Sequence, residues 1–350
     1  MSDSWIDWDV VRNAARRATR PGGKASQVEI RQAVAELHAC AEQAIDLVAG
    51  ESHLPVAAHA RVWAVDRPSI VDANIDNLRY MFAESGVDEV LGGALGALSA
   101  KASGVATGVA LAAITGRVLG QFIPFGARPA LYLVVPNIMK CEHDLGVDPS
   151  QFRLWVCLHE QTHQAQFGRA SWLPAYLTDM VSRAAASEID EQGSLSELWE
   201  QLGALVRKAN DGKTSMDRFI EKAPPEVAEA LQQATAVMSL LEGHADVMMD
   251  AVGPTVIPDL ANIRAKFTKR RAKGGWSATV TKLMGMDAKM AQYKDGAVFC
   301  RAVIDARGID VLNLAFEGPA TLPSIDELRN PDAWIERVAP PLLGDVLGAE

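Results

Sequence analysis

One helix, with a signal at each end and two histidines inside it, constrains this chain more than any other stretch. The segment "DPSQFRLWVCLHEQTHQAQFG" begins with Asp148, a typical helix-capping residue, followed by Pro149, which suits the first helical position. It ends at Gly168, a residue typical of helix C-termini. The residues on either side of the histidine pair are mostly apolar, so we expect this helix to be buried.

The two histidines in this helix are spaced to bind one metal ion. His159 and His163 are four residues apart, so they lie on the same face of a helix. Zinc accepts nitrogen ligands at about 2.0–2.1 Å and is often bound by two histidines of one turn. Glu160 lies near that face, where its carboxylate can accept a proton from a water that the metal activates. This is the His-Glu-x-x-His arrangement of metalloproteases. The alternative, two hydrogen-bonded core histidines, is less well supported by this context.

A third protein ligand is expected in "LLEGHADVMMD", which offers Glu242, His244 and Asp246. Glu242 and Asp246 are four residues apart and share a helix face. One of them can bind the metal while the other orients a ligating histidine through its free ring nitrogen. The neighbouring residues are apolar, which favours a buried helix over a solvent-facing acidic one.

The rest of the chain is patterned mainly as helix. Apolar residues recur at three- and four-residue spacing over residues 27–50, and residues 66–85 follow a capping aspartate and an early proline. The best strand candidate is "ALYLVVPN", residues 130–137, with which "RVLGQFIPF" could pair across "GARP". We therefore predict a mainly α protein with a small β element beside the histidine helix.

We expect a single domain over residues 1–350, organised as two lobes around a cleft. The N-terminal lobe, about residues 1–168, would end with the histidine helix. The C-terminal lobe, about residues 169–350, would supply the third ligand. Residues 186–222 are more polar than their neighbours and are interpreted as a lobe boundary or a peripheral helical pair.

Charge and composition exclude several classes of partner. The net charge is −10, which disfavours nucleic acid and anionic membranes. The basic cluster at residues 263–276 is interpreted as a solvated face or loop. The longest uncharged run, "ASGVATGVALAAITG", has fifteen residues, whereas a spanning helix needs about 20 apolar residues. Its small residues instead predict a closely packed helix.

The cysteines and the first residues point to the cytoplasm. Four cysteines are scattered without paired spacing, which is typical of reduced buried thiols. The opening stretch "MSDSWIDWDV" is acidic and lacks an uninterrupted apolar run, so we expect no secretory signal.

Several segments together resemble a known family. They are "VDRPSIVDAN", "LYLVVPNI", "DLGVDPSQFRLWVCLHEQTHQAQF", "LEGHADVMMD" and "QYKDGAVFCRAVIDARGIDVLN". They are similar to the zincin-like metallopeptidase family, type 2, of actinobacteria, whose members are often labelled as associated with deazaflavin-coenzyme biosynthesis. The resemblance implies a mostly helical gluzincin-like fold with one Zn²⁺ per chain. It also implies His159 and His163 as zinc ligands, Glu160 as the catalytic residue and Glu242 as the third ligand.

Helix geometry supports Glu242 over His244 as the ligand. The two are about 200° apart round a helix, so only one can face the metal. Asp246 shares the face of Glu242, so we predict that it orients a ligating histidine through the free ring nitrogen of that histidine. Tyr293 and His244 are candidate oxyanion stabilisers. In zincins an edge strand usually lines the substrate, and residues 130–137 are the candidate for that strand.

The predicted function is that of a zinc-dependent hydrolase, with metallopeptidase activity favoured and a peptide or small amide as substrate. Glu160 would act as general base. The alternatives are an amidohydrolase of a small metabolite and a non-catalytic zincin-fold binding protein. The intact Glu160 argues against the second, since a purely structural site needs no base.

Overall fold

The computed structural model describes residues 6–54, 60–86, 97–126, 129–186, 224–272 and 293–340, and helices dominate them. The helices are α1 Trp8–Ala18, α2 Gln27–Ser52, α3 Arg67–Ser85, α4 Ala97–Thr115, α5 Val135–Leu145, α6 Pro149–Arg169, α7 Leu173–Ala186, α8 Pro225–Ala251, α9 Leu260–Ala272, α10 Tyr293–Arg307, α11 Ile309–Asn313, α12 Ile325–Arg329 and α13 Pro331–Val338. Two short 3₁₀ helices lie between α11 and α12. The expectation of a mainly α protein with a small β element is confirmed.

Three short strands form one sheet in the described residues. They are β1 Arg61–Val65, β2 Gly120–Ile123 and β3 Ala130–Val134, in the order β1-β3-β2. The predicted pairing of the two segments around residues 117–137 is confirmed, because β2 is antiparallel to β3. β1, which the sequence did not predict, pairs with β3 in parallel.

The prediction that residues 130–137 form an edge strand is wrong. We expected residues 130–137 at the edge, but β3 is the central strand because β1 occupies its second side. The strand is also shorter than predicted, since it ends at Val134 and α5 begins at the next residue. Pro136, in the first turn of α5, suits a helix start. β2 is therefore the edge strand that packs against α6.

Helix α6 forms largely as its sequence predicts. The Asp148 side chain accepts a hydrogen bond from the Gln151 N–H at 2.9 Å, which caps the first turn. The helix ends at Arg169, one residue after the predicted end at Gly168. Most of its residues from Phe152 to Gln166 are buried, because α2 and α8 both pack against it. The helix that carries the two histidines therefore lies in the core.

One hydrophobic core runs through both halves of the chain. It extends from Ala33 on α2 to Ile335 on α13 and includes residues of α6 and α8. The division into two lobes stays a prediction. The polar region predicted as a lobe boundary, residues 186–222, lies outside the described residues except for Ala186. All four cysteines are buried and free of disulfide bonds, as predicted for the thiols.

The uncharged run near residue 110 forms part of α4, which packs closely on α1 as its small residues predict. A Cβ at Gly108 would lie 2.4 Å from the Val11 carbonyl oxygen, so the helices can approach this closely only at a glycine. Among the described residues, no helix is both long and apolar enough to cross a membrane.

Candidate metal centre

Three side chains from two helices converge on one point. His159 and His163 come from α6 and Glu242 comes from α8, and one ligand atom of each lies within 4.8 Å of the others. The two histidine Nε2 atoms are 3.2 Å apart. The Glu242 carboxylate oxygens lie 3.7 Å from Nε2 of His159 and 3.6 Å from Nε2 of His163. Helix α8 thus brings the predicted third ligand to the histidine pair.

This cluster fits a tetrahedral zinc ion. At metal–ligand distances of about 2.0–2.1 Å, tetrahedral geometry separates two ligand atoms by about 3.3–3.4 Å. The two histidine nitrogens are 3.2 Å apart, and each lies 3.6–3.7 Å from a different oxygen of the Glu242 carboxylate, which is close to that value. Two imidazole nitrogens and a carboxylate are also the donor set of a catalytic zinc site with one position left open. His159, His163 and Glu242 would hold the ion.

Glu160 lies beside the cluster and is buried, with only 2% of its surface exposed. Its Oε2 accepts a hydrogen bond from the Phe122 main-chain N–H on β2 at 3.2 Å. Burial raises the pKa of Glu160 to about 7, and the Glu242 carboxylate adds to the rise, although His163 and the Phe122 N–H oppose it. A carboxyl group with this pKa can both accept and release a proton near neutral pH.

The close approach of Glu160 to β2 requires a glycine at position 120. A Cβ at Gly120 would lie 2.6 Å from Cγ of Glu160 and 2.8 Å from its Cδ. Any larger residue would therefore displace the carboxylate or the strand. Gly120 is a residue of the candidate site to which the sequence had not pointed.

Gln166 forms a hydrogen bond with Nδ1 of His163, the ring nitrogen that points away from the ligand cluster. Nδ1 of His163 lies 2.9 Å from Oε1 of Gln166, one turn further along α6. Burial disfavours the charged imidazole, but the Glu242 and Glu160 carboxylates outweigh it and raise the pKa of His163 to about 9. A zinc ion that bound here at neutral pH would therefore have to displace a proton from this ring.

His244 does not belong to the ligand cluster of the described residues. It is fully buried, with Nδ1 3.0 Å from Nε2 of Gln166 and its ring edge-on to Phe316. Burial lowers the pKa of His244 to about 3, with a contribution from His163, so the ring is neutral. Its predicted role as an oxyanion donor stays a prediction, and its contacts place it behind Gln166.

Asp246 lies one helical turn after Glu242 on α8, about a third exposed. Its Oδ2 is 3.5 Å from the guanidinium of Arg264, which also pairs with Asp250. Arg264 belongs to the basic cluster, whose first part forms α9 and whose remainder, from residue 273, lies outside the described residues. The role predicted for Asp246, to orient a ligating histidine through its free ring nitrogen, stays a prediction. The partner that His163 has at its Nδ1 is Gln166.

Helix α10 approaches the cluster where two glycines meet. A Cβ at Gly243 would lie 2.2 Å from the carbonyl carbon of Gly296. A Cβ at Gly296 would lie 2.0 Å from the main-chain carbonyl oxygen of Ser239. This contact places the first turn of α10 beside the residue that follows Glu242. Tyr293 begins that turn, but its side chain lies outside the described part, and its oxyanion role stays a prediction.

One signal in the sequence could have pointed to Gln166. The motif helix carries Gln161, Gln164 and Gln166 among apolar residues, and all three are buried. A buried amide usually has hydrogen-bond partners, and Gln161 and Gln166 do have them, whereas the Gln164 amide has none in the described residues.

The comparisons with known proteins agree with this geometry. The sequence profile of a family described as zincin-like metallopeptidases matches residues 6–335. Among solved structures, the chain is similar to a proposed hydrolase with a novel fold from Chloroflexus aurantiacus, with 29% sequence identity and a TM-score of 0.68. That similarity covers 95% of this chain and 98% of the other. No curated protein matches the chain.

Proposed function

The chain belongs to the family of zincin-like metallopeptidases, and on this premise we propose that it is a zinc-dependent hydrolase that cleaves amide bonds in peptides. One observation carries the proposal. Glu160, a buried carboxyl group with a pKa of about 7, lies directly beside three side chains spaced to hold one zinc ion.

The chemistry divides between the ion and the protein. His159, His163 and Glu242 would hold a zinc ion, which would act as a Lewis acid that polarises a carbonyl group and makes water more acidic. Glu160 accepts the proton of the attacking water and later passes it to the leaving amine. The same buried carboxyl group can perform both transfers, since it lies beside the ligands and accepts a hydrogen bond from the Phe122 main chain.

The edge of β2 supports a peptide as the substrate. The Leu119 carbonyl accepts a hydrogen bond from the Val134 N–H at 2.8 Å, so Gly120 and Phe122 turn their main-chain groups away from β3. The Phe122 N–H meets Glu160 on that side. An extended peptide added along this edge would therefore bring its main chain next to the base.

The experiment compares the parent with Glu160→Gln. Both proteins should contain about one zinc per chain by elemental analysis, since the described residues offer one such ligand set. We expect the parent to cleave members of a peptide library, read by mass spectrometry, and Glu160→Gln to lose that activity, because an amide cannot accept the proton. Glu42→Gln, at an exposed position on α2, is the control and should remain active.

Each result decides a separate part of the proposal. A parent without zinc that takes up none on addition would overturn the metal site. Full activity in Glu160→Gln would remove Glu160 as the base. A parent that hydrolyses small amides and no peptide would replace the peptidase with an amidohydrolase of the same mechanism.

A further inference from the structure

Gln166 connects the two helices that carry the ligands. It is fully buried on α6, one turn after His163, and its Nε2 lies 2.9 Å from the main-chain carbonyl oxygen of Leu241 on α8. Leu241 immediately precedes Glu242 in the chain. The hydrogen bond therefore joins α6 to α8 at the residue next to the third ligand.

The Leu241 carbonyl determines how the amide is oriented. A carbonyl oxygen only accepts hydrogen bonds, so the Gln166 atom facing it must be the donor nitrogen. The oxygen of the same amide then faces Nδ1 of His163, at 2.9 Å. Because that oxygen only accepts, Nδ1 must carry a proton.

The same reasoning fixes both histidine rings. With its proton on Nδ1, a neutral His163 presents the Nε2 lone pair to Glu242 and His159, as a metal ligand requires. The second N–H of the amide points to Nδ1 of His244, 3.0 Å away, which must accept it. One main-chain carbonyl thus decides the proton positions on two buried rings.

We propose that Gln166 is a positioning residue of the metal centre, which holds His163 in the ligating tautomer and sets the separation between His163 and Glu242. His244 completes the arrangement by accepting the second amide hydrogen. The inference rests on the proposed zinc site and adds a residue to which sequence analysis assigned no role.

The test measures zinc affinity in matched variants of the full chain, by competition with a chromogenic chelator. Gln166→Met keeps the side-chain shape but removes all three hydrogen bonds, and we expect zinc to bind about 10–100-fold more weakly. Gln161→Met is the control. Gln161 is also buried on α6 and donates to a main-chain carbonyl on another helix, that of Ala41 at 3.0 Å. It should bind zinc like the parent.

A second variant separates positioning from folding. Gln166→Glu keeps an oxygen acceptor for Nδ1 of His163 but removes the amide donor to Leu241. We expect its zinc affinity to stay within about tenfold of that of the parent, with a lower midpoint of urea unfolding. This comparison of Gln166→Glu with the parent remains decisive if Gln166→Met fails to fold.

The outcomes are distinct. Parent-like zinc affinity in Gln166→Met, equal losses in Gln166→Met and Gln161→Met, or lost zinc binding in Gln166→Glu would each overturn the role of Gln166 and leave the zinc site intact. A parent that binds no zinc would instead overturn the proposed function, and this inference with it.

Discussion

At the scale of single residues, the position of Glu160 depends on the absence of a side chain at residue 120. Gly120→Ala would place a Cβ 2.6 Å from Cγ of Glu160, so the carboxylate must move. We expect peptide hydrolysis to fall about 100-fold, as for a misplaced catalytic group, while zinc content stays unchanged. Gly116→Ala, where a Cβ would meet ordinary contacts at 3.4 Å, is the control. Full activity in Gly120→Ala would contradict this account of the base.

In the metal-free protein, His163 should lose its proton at a higher pH than an ordinary histidine does. His163 has a pKa of about 9, above its ordinary value of about 6.5, mainly because Glu242 outweighs the effect of burial. The protonated ring therefore stabilises the metal-free fold fully below about pH 6.5, and this stabilisation is lost as the pH rises through about 9.

Nitrogen NMR of labelled histidines in the metal-free protein measures that titration. We expect a midpoint near 9 for His163 in the parent, and a clearly lower midpoint in Glu242→Gln, which removes the carboxylate. A parent midpoint below 7 would show that Glu242 does not interact with the ring as the structure indicates.

At the scale of elements, the crossing of α8 and α10 requires a glycine. Gly296→Ala would place a Cβ 2.0 Å from the main-chain carbonyl oxygen of Ser239 and push the two helices apart. We expect the free energy of unfolding to fall by about 1–3 kcal/mol, as for overpacked cores, measured by urea denaturation. Gly50→Ala, on an exposed face of α2 with no atom within 4 Å of the new Cβ, should be neutral or slightly stabilising. Equal effects of the two substitutions would contradict the close crossing.

At the scale of the whole molecule, zinc should stabilise the entire fold. The ligands come from α6 and α8, which both belong to the common core, so the ion joins elements that are distant in the chain. Free zinc at about 1,000 times its Kd should add about 4 kcal/mol to the free energy of unfolding. Thermal unfolding with zinc and with a chelator measures this. Glu242→Ala is the control and should show no zinc-dependent shift. An identical Tm in both conditions for the parent would contradict a site shared by the two helices.

The sequence by itself determined the features that depend on neighbours in the chain. The caps at Asp66 and Asp148 accept hydrogen bonds from main-chain N–H groups three residues later, so their helices could be predicted locally. The common face of His159 and His163 follows from helical periodicity alone. Glu242 was also predicted, through its family resemblance and its helix face.

The tertiary structure alone decided the features that depend on distant partners. β3 became the central strand because Arg61–Val65 pairs with it, and no local pattern predicts which segments will pair. Gln166 acquired its role from Leu241 and His244, which lie 75 and 78 residues further along the chain. Helical periodicity places a side chain on one face of its own helix. The hydrogen-bond partner that this side chain meets on a neighbouring helix depends on how the helices pack.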